Sequence, residues 1–314
     1  MRTNWWIFAS VLVVAAPLRA ANPPAPLVLP ATIELYVRKA GSPPSREATV
    51  KENPKVVDLD KEPLESVRLT DIQYDGAQRF RAVRLGLIIS RYAPPGSTDL
   101  AILHFANGMA VPLPFRDDRA MKRLSLYVAR GILPEATKET IAPLPAISRK
   151  VENYVDVKPI VFGTNKLVVG DRWHPAVPER EQAALSPWMF VDSLTAIEFV
   201  SSAAYFRQFE VNTASHESRE GLAVFMRSCQ FCHGARKLGA SFGWDFVEPL
   251  PITEVRRSPR ALFFHVAYRA KSEQQAGVLM PALQYIDEDD ARVLYQWLRD
   301  LPARPMPAYA PPAP

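Results

Sequence analysis

The sequence predicts a fold in two parts, a strand-rich α+β N-terminal domain followed by an all-α C-terminal domain. The chain has 314 residues, which is too long for one small module. Up to residue 214 many apolar side chains alternate with polar ones, as in strands, whereas later ones recur at helical spacing. Because 48% of the residues are hydrophobic, the chain can bury a core, which excludes a disordered or fibrous protein.

The first residues have the pattern of an export signal. Arg2 precedes an apolar run that ends at Ala16 and is too short to span a bilayer comfortably. We therefore expect residues 1–20 to be a signal peptide that directs the protein out of the cytoplasm. Leu18 is not the small residue usual just before a cleavage site, so an uncleaved signal that tethers the protein to the membrane is the alternative.

The N-terminal domain is expected over residues 31–214, after a proline-rich lead-in over residues 21–30. Strands are predicted where β-branched and aromatic residues alternate or cluster, at 32–37, 67–72, 99–105, 109–115, 159–162, 166–169 and 190–200. Asn107-Gly108 predicts a two-residue hairpin turn. Residues 80–92 fit a short helix or a buried strand, and residues 117–130 fit a short helix.

The C-terminal domain is expected over residues 215–302 and contains two amphipathic helices. Ser215 can cap the first helix, whose first turn carries acids that suit the positive end of the helix dipole. The second is predicted over 287–301, where four consecutive acids precede apolar residues at helical spacing. Residues 303–314 form a Pro/Ala-rich tail that cannot build a packed element.

One motif carries chemistry, the C-x-x-C-H pattern Cys229-Gln230-Phe231-Cys232-His233, which is typical of c-type haem attachment. Two thiols at this spacing on one turn can add to the two vinyl groups of one haem, and the adjacent histidine can reach the iron. The alternative is a disulfide or a thioredoxin-like pair, but that pair begins a helix, whereas here the predicted helix precedes the motif. Since the chain has only 2 cysteines, an all-cysteine zinc site or a cysteine-ligated iron–sulfur cluster is excluded.

Residues 215–302 resemble the class I c-type cytochromes. Gly221 and Phe225 precede Cys229 at intervals of four, and the last predicted helix offers large side chains to cross the first at the glycine. The resemblance implies one covalent haem c, with the iron ligands and attachment residues at four positions: Cys229, Cys232, His233 and Met280.

The resemblance gives each of these residues a role. Cys229 and Cys232 would form the thioether links, and His233 would be the proximal iron ligand. Met280 would be the distal ligand, because Met280-Pro281 stands before the last helix, where that family places its methionine. A methionine ligand favours electron transfer and leaves no open site for substrate. Rival distal ligands are His265, Met226 and Met306.

Residues 56–200 resemble a shortened sulfite-oxidase-type molybdopterin domain. The resemblance rests on core and turn patterns in four segments, 67–72, 101–113, 165–169 and 194–199. Enzymes of that family bind molybdenum through a cysteine in this region, and this chain has none there. The resemblance therefore implies the fold without the cofactor, and molybdopterin is not expected. A remnant pocket could be lined by His104, Arg172, Trp173 and His174.

The sequence thus predicts an exported, periplasmic monohaem cytochrome that relays single electrons from or to a partner oxidoreductase. That partner is a donor dehydrogenase or an acceptor cytochrome or oxidase, and the N-terminal domain serves docking or complex assembly. We predict no catalytic residue. The alternatives are a molybdopterin-dependent oxidoreductase with a fused haem c exit domain, and a haem-based sensor with a weak or vacant distal position.

The charge distribution bears on the choice of partner. The net charge is +5, two of these charges lie in the signal segment, and no concentrated basic stripe marks a nucleic-acid site. A local group of cations without acids could steer an acidic redox partner or pair with the haem propionates. It consists of Arg256, Arg257, Arg260, Arg269 and Lys271.

Overall fold

Two β-sheets and a group of helices make up the part of the chain that the computed structural model describes. The described residues are 31–38, 51–70, 77–96, 98–116, 126–133, 150–151, 154–155, 165–169, 191–211, 215–268, 283 and 285–301.

The strands are β1 (Thr32–Arg38), β2 (Lys51–Asp58), β3 (Glu65–Thr70), β4 (Ala77–Arg84), β5 (Leu100–Phe105), β6 (Ala110–Pro114), β7 (Leu126–Ile132), β8 (Lys150–Val151), β9 (Tyr154–Val155), β10 (Lys166–Val169), β11 (Leu194–Val200), β12 (Gly234–Ala235) and β13 (Leu238–Gly239). The helices are α1 (Leu85–Tyr92), α2 (Ser202–Arg207), α3 (His216–Ser228), α4 (Ile252–Val255), α5 (Pro259–Ala267) and α6 (Glu288–Asp300).

The larger sheet has five strands in the order β2-β1-β11-β5-β6. Strands β1 and β11 pair in parallel, with Leu35 opposite Ile197, and the other neighbours pair antiparallel. The hairpin between β5 and β6 turns at Asn107-Gly108 as predicted, and Gly108 has a φ of 89°, which glycine adopts at no steric cost. This hairpin is hydrogen-bonded to the segment that follows α3.

A second, antiparallel sheet in the order β10-β7-β4-β3 packs against one face of the larger sheet. Side chains from both sheets form the core between them, including Leu35, Leu103, Phe105, Val128, Leu167, Ile197 and Phe199. In the larger sheet these are the alternate residues of each strand, as the period of two requires. The intervening residues therefore point to the opposite face.

The opposite face of the five-stranded sheet packs on the C-terminal helices. Leu100, Ile102 and Val200 share a core with Phe225 of α3 and Trp297 of α6. The described residues therefore form three layers, the small sheet, the large sheet and the helices. A continuous core crosses the position near residue 214 at which the sequence predicts a boundary between two parts.

The helices that flank the C-x-x-C-H motif begin where the sequence predicts. The Ser215 side chain accepts a hydrogen bond from the Ser218 N–H at 3.1 Å, and Asp287 caps α6 through the Asp290 N–H at 2.7 Å. These are N-cap contacts that satisfy otherwise unpaired donors of the first turn. Between the two helices lie α4, α5 and the two-residue ladder of β12 and β13, which the pattern did not predict.

Two predicted elements of the sheet region differ in the structure. The predicted helix over 117–130 is wrong for its described residues, since Leu126–Ile132 is strand β7 between β4 and β10. Leu126, Tyr127 and Val128 are all buried there, so no alternation marks the strand, and a run of this kind fits helix or strand equally. Residues 80–92 contain both alternatives, because β4 ends at Arg84 and α1 begins at Leu85.

Several predicted segments lie outside the described residues. These are the signal peptide 1–20, the lead-in 21–30, the strand 159–162 and the tail 303–314. Of the helices in the described ranges, none is both long and apolar enough to cross a bilayer.

Candidate functional site

The C-x-x-C-H motif forms one tight turn at the C-terminal end of α3. Cys229 is the C-cap residue, and its N–H donates to the Phe225 carbonyl at 2.9 Å. The N–H groups of Cys232 and His233 both donate to the Cys229 carbonyl, at 3.1 and 2.9 Å. This turn brings the two cysteines and the histidine together, as the motif predicts.

The two cysteines lie in different surroundings and do not form a disulfide. Cys229 is buried in the core between α3 and α6, and burial raises the pKa of its thiol to about 12. Cys232 is partly buried against the core that the two sheets share. The motif thus contacts both cores, the helical core through Cys229 and the core between the sheets through Cys232.

His233 is oriented by the backbone that follows it. Its Nδ1 lies 2.8 Å from the Trp244 carbonyl oxygen, which accepts and therefore places the ring proton on Nδ1. The lone pair of the neutral ring is then on Nε2, the arrangement by which a metal-binding histidine is commonly fixed. The ring stacks on Phe246 with centroids 4.6 Å apart and an interplanar angle of 25°.

Gly243 lies directly against the same imidazole. A Cβ at this position would lie 2.6 Å from Nδ1 and 3.0 Å from Nε2 of His233, so any larger residue would displace the ring. The Gly243 N–H also donates to the Cys232 carbonyl at 2.6 Å. The imidazole is therefore held by backbone groups on one side and an aromatic ring on the other.

Asp245 organises the loop that carries these backbone groups. Its carboxylate accepts hydrogen bonds from four main-chain N–H groups, with distances between 2.6 and 3.0 Å, those of Arg236, Lys237, Val247 and Glu248. Arg236 and Lys237 form the turn of the β12–β13 ladder at φ values of 58° and 62°. One carboxylate thus stabilises both ends of the segment that follows His233.

Arg236 places a charge inside this loop. The side chain is 7% exposed, and its Nε and Nη2 have no hydrogen-bond partner among the described residues. Burial lowers the pKa of the guanidinium. A buried cation of this kind requires an anionic or polar partner.

Helices α3 and α6 cross at Gly221, as the sequence predicts. A Cβ on Gly221 would lie 2.7 Å from the Trp297 Cβ and closer still to the Val293 carbonyl oxygen. Phe225, one turn later, packs on Trp297 with ring centroids 4.7 Å apart. The close crossing fixes the end of α3 on which Cys229 stands.

Two of the four candidate distal ligands, Met226 and His265, lie within the described residues. Met280 and Met306 lie outside the described residues, and Met226 packs against the helical core one turn before the motif. His265 accepts at Nδ1 from Arg256 Nη2, 2.9 Å away. Because guanidinium can only donate, a neutral His265 carries its proton on Nε2, which does not suit an iron ligand.

The basic segment is partly described. Arg256 is half-buried beside His265, whereas Arg257 and Arg260 are exposed, and Arg260 lies over the Phe264 ring at 5.6 Å. Arg269 and Lys271 lie outside the described residues.

Exposed large apolar side chains concentrate between the motif and residue 268. Of those in the described residues, five fall in this segment, Trp244, Leu250, Val255, Phe264 and Tyr268, against two elsewhere. Of these five, Phe264 and Tyr268 are in ring contact, with centroids 6.0 Å apart.

Sequence reasoning missed a buried polar cluster on the sheet. His104 is one of the residues predicted to line a remnant pocket, and the other three, Arg172, Trp173 and His174, lie outside the described residues. The described neighbours of His104 are Tyr36 and Glu198. Glu198 is 1% exposed and also pairs with Arg38 at 2.5 Å. The sequence signal that could have revealed this cluster is one acid, Glu198, inside the apolar strand 194–200, because a buried charge requires a partner.

A comparison with protein-family models and with curated proteins finds no match to this chain. The functional assignment therefore rests on the site itself.

Proposed function

We propose that the protein is an exported monohaem c-type cytochrome that relays single electrons in the periplasm. The observation that carries the proposal is the His233 imidazole, held through Nδ1 by the Trp244 carbonyl at 2.8 Å immediately after two cysteines on one turn. A redox pair of thiols has no need of a fixed adjacent imidazole, whereas a haem-binding motif requires one.

The residues present fit a haem. Cys229 and Cys232 would hold it by thioether links, His233 would bind the iron, and Met280 would bind it on the other side. Arg236 offers a buried guanidinium with unpaired N–H groups to a propionate. The exposed apolar side chains between residues 244 and 268 would cover the porphyrin. When bound, the haem supplies a one-electron couple.

The chain's own residues set the conditions for that couple. The Trp244 carbonyl and Gly243 keep the imidazole in one tautomer and one orientation, which reduces reorganisation when the iron changes charge. The crossing of α3 and α6 at Gly221 fixes the attachment turn. The region from 215 to 302 would then be a cytochrome c domain, and the partner would be a redox protein.

The sheets would support the segment that contains the C-x-x-C-H motif, in addition to serving in docking. The Ala110 N–H donates to the Phe231 carbonyl at 3.1 Å, and the Ser241 N–H donates to the Gly108 carbonyl at 2.8 Å. Phe231, Cys232 and Phe242 pack against the core of the sheets. The β5–β6 hairpin is thus joined directly to the motif.

The test is purification from a periplasm with a c-type haem maturation system. We expect the chain to carry one covalent haem that survives acid–acetone extraction, and the Cys229→Ala, Cys232→Ala double variant to lose it. Met280→Ala should remove the long-wavelength charge-transfer band of a methionine-ligated ferric haem, whereas Met226→Ala should keep it. Protein without covalent haem would refute the proposal, and a persistent band would refute Met280 as ligand.

A further inference from the structure

The face of the large sheet toward the helices carries a cavity of about 290 Å³. Residues of β1, β5 and β11 line it from the sheet, and Tyr205 lines it from α2. Leu238 and Gly239 of β13 line it from the segment that follows the C-x-x-C-H motif. This volume is close to the lower limit of about 300 Å³ for small-molecule sites. At about 30 Å³ for each water-sized group, the cavity admits a molecule of roughly ten non-hydrogen atoms.

The cavity opens to solvent beside β1 and β2. Glu34 and Lys51 line it there, and both side chains are partly exposed. The inner walls are closed, since Ile102, Glu198 and Leu238 are almost completely buried. A small molecule can therefore enter past Lys51 and be enclosed by the walls behind it.

The charges of the inner wall are paired within the protein. Glu198 accepts from Arg38 Nε at 2.5 Å and lies 3.0 Å from His104 Nε2. Burial alone would raise the pKa of Glu198, but the His104 hydrogen bond and the Arg38 charge hold the pKa at about 2. The carboxylate is thus ionised at neutral pH and balances the guanidinium.

The mouth of the cavity has the same balance of charge. Lys51 pairs with Glu34 at 2.5 Å, and its Nζ lies 4.8 Å from the centroid of the Tyr36 ring. Each cation of the lining, Arg38 or Lys51, therefore has its own anion. A ligand with a net charge would be buried here without a counter-ion, which is unfavourable in a site shielded from water. The lining thus favours a neutral molecule.

One hydroxyl in the cavity is available to such a molecule. Tyr205 is 2% exposed, and its ring packs on Phe209 with centroids 5.5 Å apart. Burial raises the pKa of the phenol, and the charges of Arg38 and Glu198 also act on it, so the hydroxyl lies toward that ion pair. It makes no hydrogen bond with the described residues, yet its oxygen is not fully enclosed, in contrast to Nδ1 of His104. Because a buried hydroxyl without a partner is destabilising, a ligand atom would supply what the described residues do not.

The rest of the lining is suited to an apolar body. Ile102, Ala196 and Leu238 are buried apolar side chains on its walls. The Thr195 hydroxyl already donates to the His104 carbonyl at 3.0 Å. Apolar walls with a few placed polar groups are typical of small-molecule sites.

We propose that this cavity binds a small neutral alcohol, aliphatic or aromatic. The ligand oxygen accepts a hydrogen bond from the Tyr205 hydroxyl, and the apolar body packs against Ile102, Ala196 and Leu238. The site is separate from the C-x-x-C-H turn, and the inference does not depend on the proposed haem function.

The experiment is calorimetric titration of the purified full-length protein at neutral pH. Three probes of similar shape are compared, benzyl alcohol, benzoate and benzylammonium. We expect benzyl alcohol to bind one site per chain with a Kd at or below about 1 mM, and both ions to bind at least about tenfold more weakly. Benzoate or benzylammonium binding as tightly as benzyl alcohol would overturn the neutral class of ligand. Absence of saturable binding by benzyl alcohol would overturn the site.

Replacing Tyr205 by phenylalanine removes only the hydroxyl. We expect the Kd for benzyl alcohol to rise about 3- to 10-fold, the value of one hydrogen bond. Urea unfolding should show no loss of stability, because the hydroxyl has no partner among the described residues. The control is Tyr268→Phe, which removes an exposed hydroxyl and should leave the Kd unchanged. An unchanged Kd in Tyr205→Phe would contradict the assigned contact.

Replacing Ala196 by leucine fills the cavity from the central strand β11. We expect this variant to lose benzyl alcohol binding, whereas Ala223→Leu, at an exposed position of α3, should retain it. Far-ultraviolet circular dichroism shows whether each variant is folded, and Tyr205→Phe still tests the site if Ala196→Leu is not. Full binding by folded Ala196→Leu would overturn the site. Covalent haem is assayed separately, so either proposal can fail without the other.

Discussion

At the scale of single residues, the motif and the sheet show two opposite ways of fixing a histidine. Backbone groups hold His233, through the Trp244 carbonyl and the contact with Gly243. Side chains hold His104, through Glu198 and Tyr36. The first arrangement places the ring proton of His233 on Nδ1, and the second places a ring proton of His104 on Nε2, toward Glu198.

Replacing Gly243 by alanine tests the backbone support of His233. Because the new Cβ would lie 2.6 Å from Nδ1, we expect the ring to rotate and its bond to the Trp244 carbonyl to be lost. The ferric electron paramagnetic resonance spectrum should then show altered or mixed axial ligation. Ser241→Ala, in the same loop, is the control that should keep the original spectrum. An unchanged Gly243→Ala spectrum would contradict the assigned support.

Replacing Glu198 by glutamine tests the ion pair on the sheet. We expect the free energy of unfolding at pH 7 to fall by about 3–5 kcal/mol, since Arg38 would remain buried without its anion. The Glu198 pKa is lowered on folding from 4.5 to about 2, so its contribution is complete above pH 4.5 and is lost as the pH falls toward 2. Urea unfolding of both proteins should give a difference that shrinks across this range. A constant difference would contradict the pKa assignment.

At the scale of elements, the junction of α3 and α6 fixes the position of the C-x-x-C-H turn. Gly221→Ala would place a methyl group against the Val293 carbonyl, so we expect the helices to separate. The free energy of unfolding should fall by about 1–3 kcal/mol. Urea unfolding would measure the change. The control is Ala223→Leu, at an exposed position of α3, where a larger side chain extends toward solvent. It should change the free energy of unfolding by less than about 0.5 kcal/mol. Equal effects would contradict the close crossing.

The elements show why some of the fold could be predicted from the sequence. The caps at Ser215 and Asp287 and the turn at Asn107-Gly108 depend on local chemistry, which neighbouring residues specify. Strand β7 was predicted as a helix because burial on both faces removes the alternation. The pairing of Glu198 with Arg38 joins residues 160 positions apart, which no local pattern reveals.

At the scale of the whole molecule, the large sheet is the middle layer between the small sheet and the helices. Its two faces contribute to both main cores, and the C-x-x-C-H turn packs against it through Phe231 and Cys232. The C-x-x-C-H motif is visible in the sequence alone, but its contact with the sheet is not, because that contact brings together distant parts of the chain.

Because the large sheet contributes to both main cores, we expect the described layers to unfold together. We expect calorimetry, far-ultraviolet circular dichroism and haem absorbance to report one transition with one midpoint. Gly108→Val should lower that midpoint in all three signals, since a Cβ on Gly108 would lie 2.9 Å from Ser241 Oγ and 3.1 Å from the Phe242 nitrogen. Two separate transitions, with the midpoint of only one lowered by Gly108→Val, would contradict cooperative unfolding of the layers.

The bond from His233 to the Trp244 carbonyl has a consequence for sequence variation. Since the acceptor belongs to the main chain, the identity of the side chain at 244, which is 86% exposed, does not alter the tautomer of His233. Position 243, by contrast, has no space for a Cβ. In a library that randomises both positions, clones that carry covalent haem should retain glycine at 243 and have diverse residues at 244. The position with a restricted side chain is therefore the neighbour of the residue whose carbonyl makes the bond.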